Sequence, residues 1–131
     1  TPGALRRAAR VANGFFGAGS QPTAAYVDQV RTLKEALAEA GRSDFQIAKR
    51  VYIAVDDDED RARRRMTEAL ERMYGYFGMR VLEAAVFGSA QTCIDRLGEV
   101  KEAGAEMILL NPLFDDLEQM ERLAAEVVPS L

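Results

Sequence analysis

The sequence predicts an α/β fold built on a parallel sheet, and three observations carry that expectation. Apolar residues recur at three- and four-residue spacing along several long segments. Short runs rich in β-forming residues separate these segments, and glycine, proline or aspartate marks most of the junctions. Strands alternating with amphipathic helices imply right-handed βαβ units, hence parallel pairing. A chain of 131 residues with 48% hydrophobic content supports one modest core, so residues 1–131 are expected to form a single domain.

The elements follow in order. "TPGALRRAARVA" offers Thr1 as an N-cap, Pro2 at the first helical position, and an apolar face of Ala4, Leu5, Ala8, Ala9 and Ala12. "NGFFGAG" is a short aromatic run between glycines and reads as a strand. Residues 23–40 place Tyr26, Val30, Leu33, Leu37 and Ala40 on one helical stripe, with Gly41 behind them as the C-terminal stop. "FQIAKRVYIAV", residues 45–55, is a second strand and ends at Asp56, Asp57 and Asp58, which suit the first turn of the next helix. That helix is expected to turn Ala62, Met66, Ala69, Leu70, Met73 and Phe77 inward, its end loosened by Gly75 and Gly78. Ser89 then caps a helix carrying Ile94, Leu97 and Lys101 in register, and Gly104 stops it. "MILL" is an unbroken apolar strand of the kind buried on both faces in parallel sheets. Asp115 or Asp116 starts a last helix with Leu117, Met120, Leu123 and Ala124 inside, ending near Pro129. The expected order is helix, strand, helix, strand, helix, helix, strand, helix. Three strands are too few to close a barrel, so the sheet either pairs with another chain or belongs to a larger fold.

Composition narrows the chemistry. A formal charge of −4 argues against a nucleic-acid partner, which normally meets a basic face. No apolar run is long enough for a bilayer and no leader of the signal-peptide kind is evident, so a soluble, cytoplasmic protein is expected. The single cysteine, Cys93, allows no internal disulfide and no thiolate metal cage, and it reads as a packed small residue. The absence of histidine removes Ser-His and Cys-His nucleophile pairs and His-ligated zinc. No metal ligands and no catalytic residues are assigned.

Three stretches carry a family resemblance. "ALRRAARVANGFF", "GRSDFQIAKRVYIAV" and above all "VFGSAQTCIDRLGEVKEAGAEMILLNPLFDDLEQMERLAAEVVPSL" resemble the C-terminal part of the luciferase-like monooxygenases, the flavin- or deazaflavin-dependent (β/α)8-barrel oxidoreductases. The resemblance spans essentially the whole chain. It implies the C-terminal portion of a (β/α)8 TIM barrel, with about three parallel strands and flanking helices. The segment would run from the helix after strand five through the last helix. It further implies FMN or the deazaflavin coenzyme F420 as cofactor and a small organic substrate. Where the family usually has Ala-Asp-Gly-Trp, this sequence has Ala12-Asn13-Gly14-Phe15, so the aspartate's charge is missing. Substrate-side groups of the family lie largely on the barrel's first half, which implies that these residues alone are inactive. A chain that starts at Thr1 with a helix is expected to continue upstream.

The candidate site residues are Thr1, Gly3, Ala4 and Gly17. A helix N-terminus offers unpaired N–H groups and the positive end of the helix dipole, and Thr1 adds a hydroxyl. By resemblance, this is the loop that meets the cofactor phosphate; ordinary N-capping needs the same residue types. Gly17-Ala18-Gly19 is a weak nucleotide signal, since Pro22 stands where a dinucleotide fingerprint has its third glycine. Gly14, Gly17 and Gly19 read first as a strand ending in a tight turn at the barrel's C-terminal rim, since glycines mark turns far more often than ligands. Lys49 and Arg50 point to opposite faces of their strand, so one of them can enter a barrel interior or rim. Arg61, Arg63, Arg64 and Arg65 read as a solvated helix face with local ion pairs, and Tyr74, Tyr76 and Phe77 as packing residues. Two other readings stay open: a non-catalytic half-barrel that forms a homodimer through its exposed sheet, and a small α/β binding module.

Overall fold

Ten residues of high β-propensity, Gln46–Val55, form the longest strand, β2, and every other strand bonds to it in the computed structural model, which describes residues 1–131. The order is α1 (Pro2–Val11), β1 (Gly14–Gly17), α2 (Thr23–Glu39), β2, α3 (Glu59–Tyr74), α4 (Gly78–Leu82), β3 (Val86–Gly88), α5 (Ala90–Glu102), β4 (Met107–Asn111) and α6 (Asp116–Arg122). The last helix runs on through a π-helical turn at Leu123–Val127. All pairings are parallel: β1 lies against Gln46–Lys49, β4 against Ala48–Tyr52, and β3 against Ile53–Val55.

Alternation of the β2 amides fixes which neighbour takes which edge. Gln46 N–H donates to Asn13 and Asp56 N–H to Gly88, whereas Ile47 N–H donates to the Glu106 carboxylate and Val55 N–H to the Gln119 side chain. β1 and β3 therefore share one edge of β2, while β4 and the Gln119 amide share the other. The same alternation sorts the side chains. Ile47, Val51, Ile53 and Val55 face a core shared with Leu5 and Ala9 of α1, Tyr26, Val30 and Leu33 of α2, and Cys93, Leu97 and Val100 of α5. Tyr52 and Ala54 face the other way, against Met66 and Leu70 of α3 and Val81 and Ala85 beyond it. Each fully buried leucine here contributes roughly 2 kcal/mol by removal from water. No helix is long and apolar enough to cross a membrane.

Several expectations need correction. The sheet has four strands, not three; Val86–Gly88 is too short to show a period-2 pattern and is a strand only because Ile53–Val55 offers it an edge. β4 is not buried on both faces: Met107 and Leu109 are 47% and 43% exposed, since this chain lays nothing over that part of the sheet. Met73 and Phe77 do not point inward, because Gly75 at φ +57° breaks the helix and Tyr74 takes the inner position instead. Tyr76 and Phe77 are exposed and pack edge-on against each other. In α5 the buried stripe is Cys93, Leu97 and Val100, with Lys101 outside. In the last helix Gln119, Leu123 and Val127 face the sheet while Leu117, Met120 and Ala124 are exposed, so the phase differs from the apolar count. Asp58 caps α3 and Asp56 and Asp57 precede it, rather than all three lying in its first turn.

Gln119 explains that phase. Its side-chain amide accepts from Val55 N–H at 2.8 Å and donates to Val55 C=O at 3.0 Å, standing in for one residue of a neighbouring strand. Gln119→Leu keeps the bulk but leaves the Val55 N–H without a partner and its carbonyl with only the longer Arg122 bond at 3.4 Å. A stability loss of about 2–3 kcal/mol is expected, read from the urea midpoint at unchanged m-value.

Candidate functional site at the C-terminal rim

The two-residue link from α1 to β1 brings the end of α1 to the start of the sheet, so the α1 N-terminus lies at the opposite rim, where the strands end. Thr1 Oγ1 accepts from Ala4 N–H at 3.3 Å, and the Thr1 carbonyl accepts from Ala4 and Leu5 N–H at 3.1 and 3.2 Å. Gly3 makes no such bond, and open space lies where its Cβ would be. A cleft of about 310 Å³ opens here, lined by Thr1, Pro2 and Leu5 of α1 and by Ala25, Asp28, Gln29 and Thr32 of α2. Gln29 Oε1 is the one buried side-chain nitrogen or oxygen that lacks a hydrogen-bond partner. Turning its amide over would present an NH2 group instead. The Asp28 carboxylate is engaged by Arg31 at 2.7 Å.

Gly17 lies elsewhere. A Cβ at residue 17 would come within 2.7 Å of the Tyr26 ring, so packing against α2 by itself explains this glycine. It is not among the residues of the α1–α2 cleft. The loop after it is held from below by Lys49, whose Nζ donates to the carbonyls of Ala18 and Gln21 at 2.9 Å each and of Arg50 at 3.3 Å. Lys49 is 1% exposed and sits 5.4 Å from the Tyr26 ring centroid. With no carboxylate beside it, burial pulls its pKa from 10.5 down to about 8. Burial, aided by the Glu106 charge, pushes the Tyr26 phenol up to about 12. Of the two basic residues on β2, Lys49, on the face toward α1, α2 and α5, is thus a structural clamp, and Arg50 lies on the opposite, inner face, which α3 covers only toward the strand's C-terminal end.

The loop after β2 is locked by ion pairs. Asp56 receives a fork from Arg61 at 2.6 and 2.7 Å and caps the Asp58 N–H, and the Arg61 hydrogen bond holds its carboxyl below the usual range. Arg122 of α6 bonds Asp57 and Glu126 and reaches the Val55 carbonyl. The arginine run is accordingly more than a solvated face with local pairs: Arg65 meets Asp115, 50 positions away, at 2.6 Å and lies over the Phe114 ring. Cys93 is fully buried, its thiol near the carbonyls of Ala54 and Gly88, and burial pushes its pKa up to about 12. No thiolate nucleophile is available at neutral pH.

Thr1, Gly3 and Ala4 are thus brought together at one helix end. Sequence reasoning missed Gln29, since a lone glutamine inside an amphipathic helix carries no signal, and it missed the Tyr52–Tyr74 hydroxyl pair described below.

The model of the luciferase-like monooxygenase family matches residues 1–81. The chain belongs to that family. Among solved structures, this luciferase-like chain is similar to the coenzyme F420 dependent tetrahydromethanopterin reductase of Methanopyrus kandleri, with TM-score 0.74 and 25% identity over 98% of this chain and 48% of that one. An F420-dependent secondary alcohol dehydrogenase in complex with an F420-acetone adduct is similar at TM-score 0.76 and 16% identity, over 98% and 46% of the two chains. The FMN complex of the oxygenating constituent of 3,6-diketocamphane monooxygenase from Pseudomonas putida matches at TM-score 0.67 and 19% identity, over 95% and 45%. The fold is the parallel α/β arrangement of these barrel enzymes, and the chain spans about half the length of the structures it matches. No curated protein sequence matches it.

Lys49 gives the rim a pH signature. Below about pH 8 the folded and unfolded chains both carry the proton, and the cost of burying the charge is felt in full. Between about 8 and 10.5 only the unfolded chain still holds it, so stability attributable to this residue rises with pH. Urea melts of wild type and Lys49→Met at pH 7.5 and 10 are expected to show the difference moving in favour of wild type by up to about 3 kcal/mol. A difference independent of pH would contradict the assignment.

Proposed function

We propose that this luciferase-like chain forms the C-terminal half of a (β/α)8-barrel oxidoreductase that acts on a small organic substrate with F420 or FMN as cofactor. The observation that carries the reading is the cleft at the α1 N-terminus. There the Thr1 hydroxyl and the positive end of the helix dipole meet Gln29, whose Oε1 has no partner and whose amide, turned over, presents an NH2 group; the Gly3 N–H belongs to the same helix end, next to the lining residue Pro2. These groups suit a dianionic phosphate: two or three neutral donors and a dipole hold the charge without an arginine. Ala4 N–H, now turned to Thr1, supplies a further donor when the cap loosens. Gly17 is assigned the shape of the rim rather than a direct contact. The bound cofactor supplies hydride or oxygen chemistry at the strand ends, and this chain's part is to hold the phosphate tail and wall the rim. The cofactors named for two F420 enzymes and an FMN monooxygenase of the same fold support this choice.

A second reading, a non-catalytic homodimer joined through the sheet, is favoured by the half-exposed Phe16, Met107 and Leu109. A dimeric mass together with no cofactor binding would support it over the first.

Titration of the chain with F420 and with FMN, followed by absorbance and fluorescence, tests the first reading. Binding of one of them is expected, weakened by inorganic phosphate. Gly3→Asp places a carboxylate at the helix N-terminus, where it favours the helix by about 0.3–1 kcal/mol but repels phosphate. Cofactor Kd is expected to rise at least tenfold while Tm holds or increases; an unchanged Kd would overturn the assignment.

A further inference from the structure

The inner face of the sheet is apolar along most of its length and carries one charge. Register places Phe16, Ala48, Met107 and Leu109 on this face, with Tyr52 and Asn111 toward the strand ends. Arg50 stands among them, opposite Leu109 on the central strand, and is the only ionised side chain that these strands direct this way. The chain has 21 acidic residues against 17 lysines and arginines, yet no carboxylate reaches Arg50: it forms no ion pair and its side chain makes no hydrogen bond.

The direction of the side chain is shown by Gly19, in the loop beyond the end of β1. A Cβ on residue 19 would lie 3.2 Å from Arg50 Cδ and 2.8 Å from the Tyr52 ring. Arg50 therefore leans along β2 toward the C-terminal rim, under a loop whose glycine leaves it room, and Lys49 anchors that loop from the opposite face.

A second donor points to the same place. The hydroxyls of Tyr52 and Tyr74 are 2.6 Å apart. Only one of the two protons can lie between the oxygens, and the other has no acceptor within the chain. Tyr52 is 2% exposed and Tyr74 half-buried, so the leftover donor lies at the border of the packed core, on whichever hydroxyl does not bridge the pair. The Tyr52 hydrogen bond and burial push the Tyr74 hydroxyl up to about 12 and the Arg50 charge opposes them, so Arg50 acts on this pair. A guanidinium fork without an anion and a phenol proton without an acceptor, beside an apolar floor, match the two oxygens of a carboxylate on an apolar body.

We propose that Arg50, with the Tyr52–Tyr74 pair, binds the carboxylate of the substrate, so that the enzyme acts on small apolar carboxylic acids. The inference deepens the cofactor reading and rests on it, because closure of the barrel is what turns this face into an interior wall. It predicts a site separate from the phosphate cleft at the α1 N-terminus.

NMR titration of the chain, with and without the cofactor that binds it, uses 3-phenylpropionate and its neutral amide as probes. The acid is expected to shift the Arg50 and Leu109 signals and to bind at least tenfold more tightly than the amide. Arg50→Gln is expected to erase that preference and Arg50→Lys to keep part of it, both with unchanged Tm, and Tyr74→Phe to reduce it severalfold with a lower Tm, since the buried Tyr52 hydroxyl loses its partner. Equal binding of acid and amide, a preference that survives Arg50→Gln, or binding of neither probe would overturn the proposal. So would a tenfold loss of cofactor affinity in Arg50→Gln, which would assign the arginine to the cofactor's phosphate. Absence of cofactor binding beside an intact, Arg50-dependent acid preference would support the carboxylate site and count against the cofactor reading alone.

Discussion

Everything in this fold depends on β2 having both edges and both faces occupied in different ways. One edge bonds β1 and then β3; the other bonds β4 and then the Gln119 amide. A strand paired on both sides cannot shift by one residue without exchanging its faces, which would carry Ile47, Val51 and Val55 out of the helix-facing core. The orientation of Lys49 and Arg50 follows from that constraint. Neighbours in sequence, they are sent to environments with opposite demands: one a dry pocket of carbonyls, the other an open apolar face.

The rim shows how the fold makes room for chemistry without supplying nucleophiles. Two glycines there are close approaches of backbone to a side chain: residue 17 to Tyr26 and residue 19 to Tyr52. The acidic residues after β2 are consumed by Arg61 and Arg122, and Cys93 is buried among carbonyls. What remains free to meet a ligand is a set of donors: helix-end amides, the Gln29 amide, one guanidinium and one phenol proton. Such a set suits the binding and orientation of anions. Under the proposed reading, electron transfer is left to the cofactor.

Much of this was legible in the residues. Thr1 and Ser89 read as caps and cap their helices, and the Tyr26–Val30–Leu33–Leu37 stripe is buried, because local hydrogen bonding and helical period act within a few residues. The parallel sheet and the family resemblance were visible for the same reason: each strand–helix unit repeats its own local pattern. The candidate phosphate groups were identifiable as a helix start, though the same letters suit a plain cap.

The sequence by itself determined the alternation of elements, the helix ends and the lack of histidine or paired cysteine chemistry, all properties of composition or near neighbours. Tertiary structure alone decided the fourth strand, the phase of the last helix, the exposure of Met107 and Leu109, and which hydroxyl, amide and guanidinium were left without partners. Those outcomes turn on contacts between residues far apart in the chain, such as Gln119 with Val55, 64 positions away. A partner's absence is a property of the whole fold, and no local pattern encodes it.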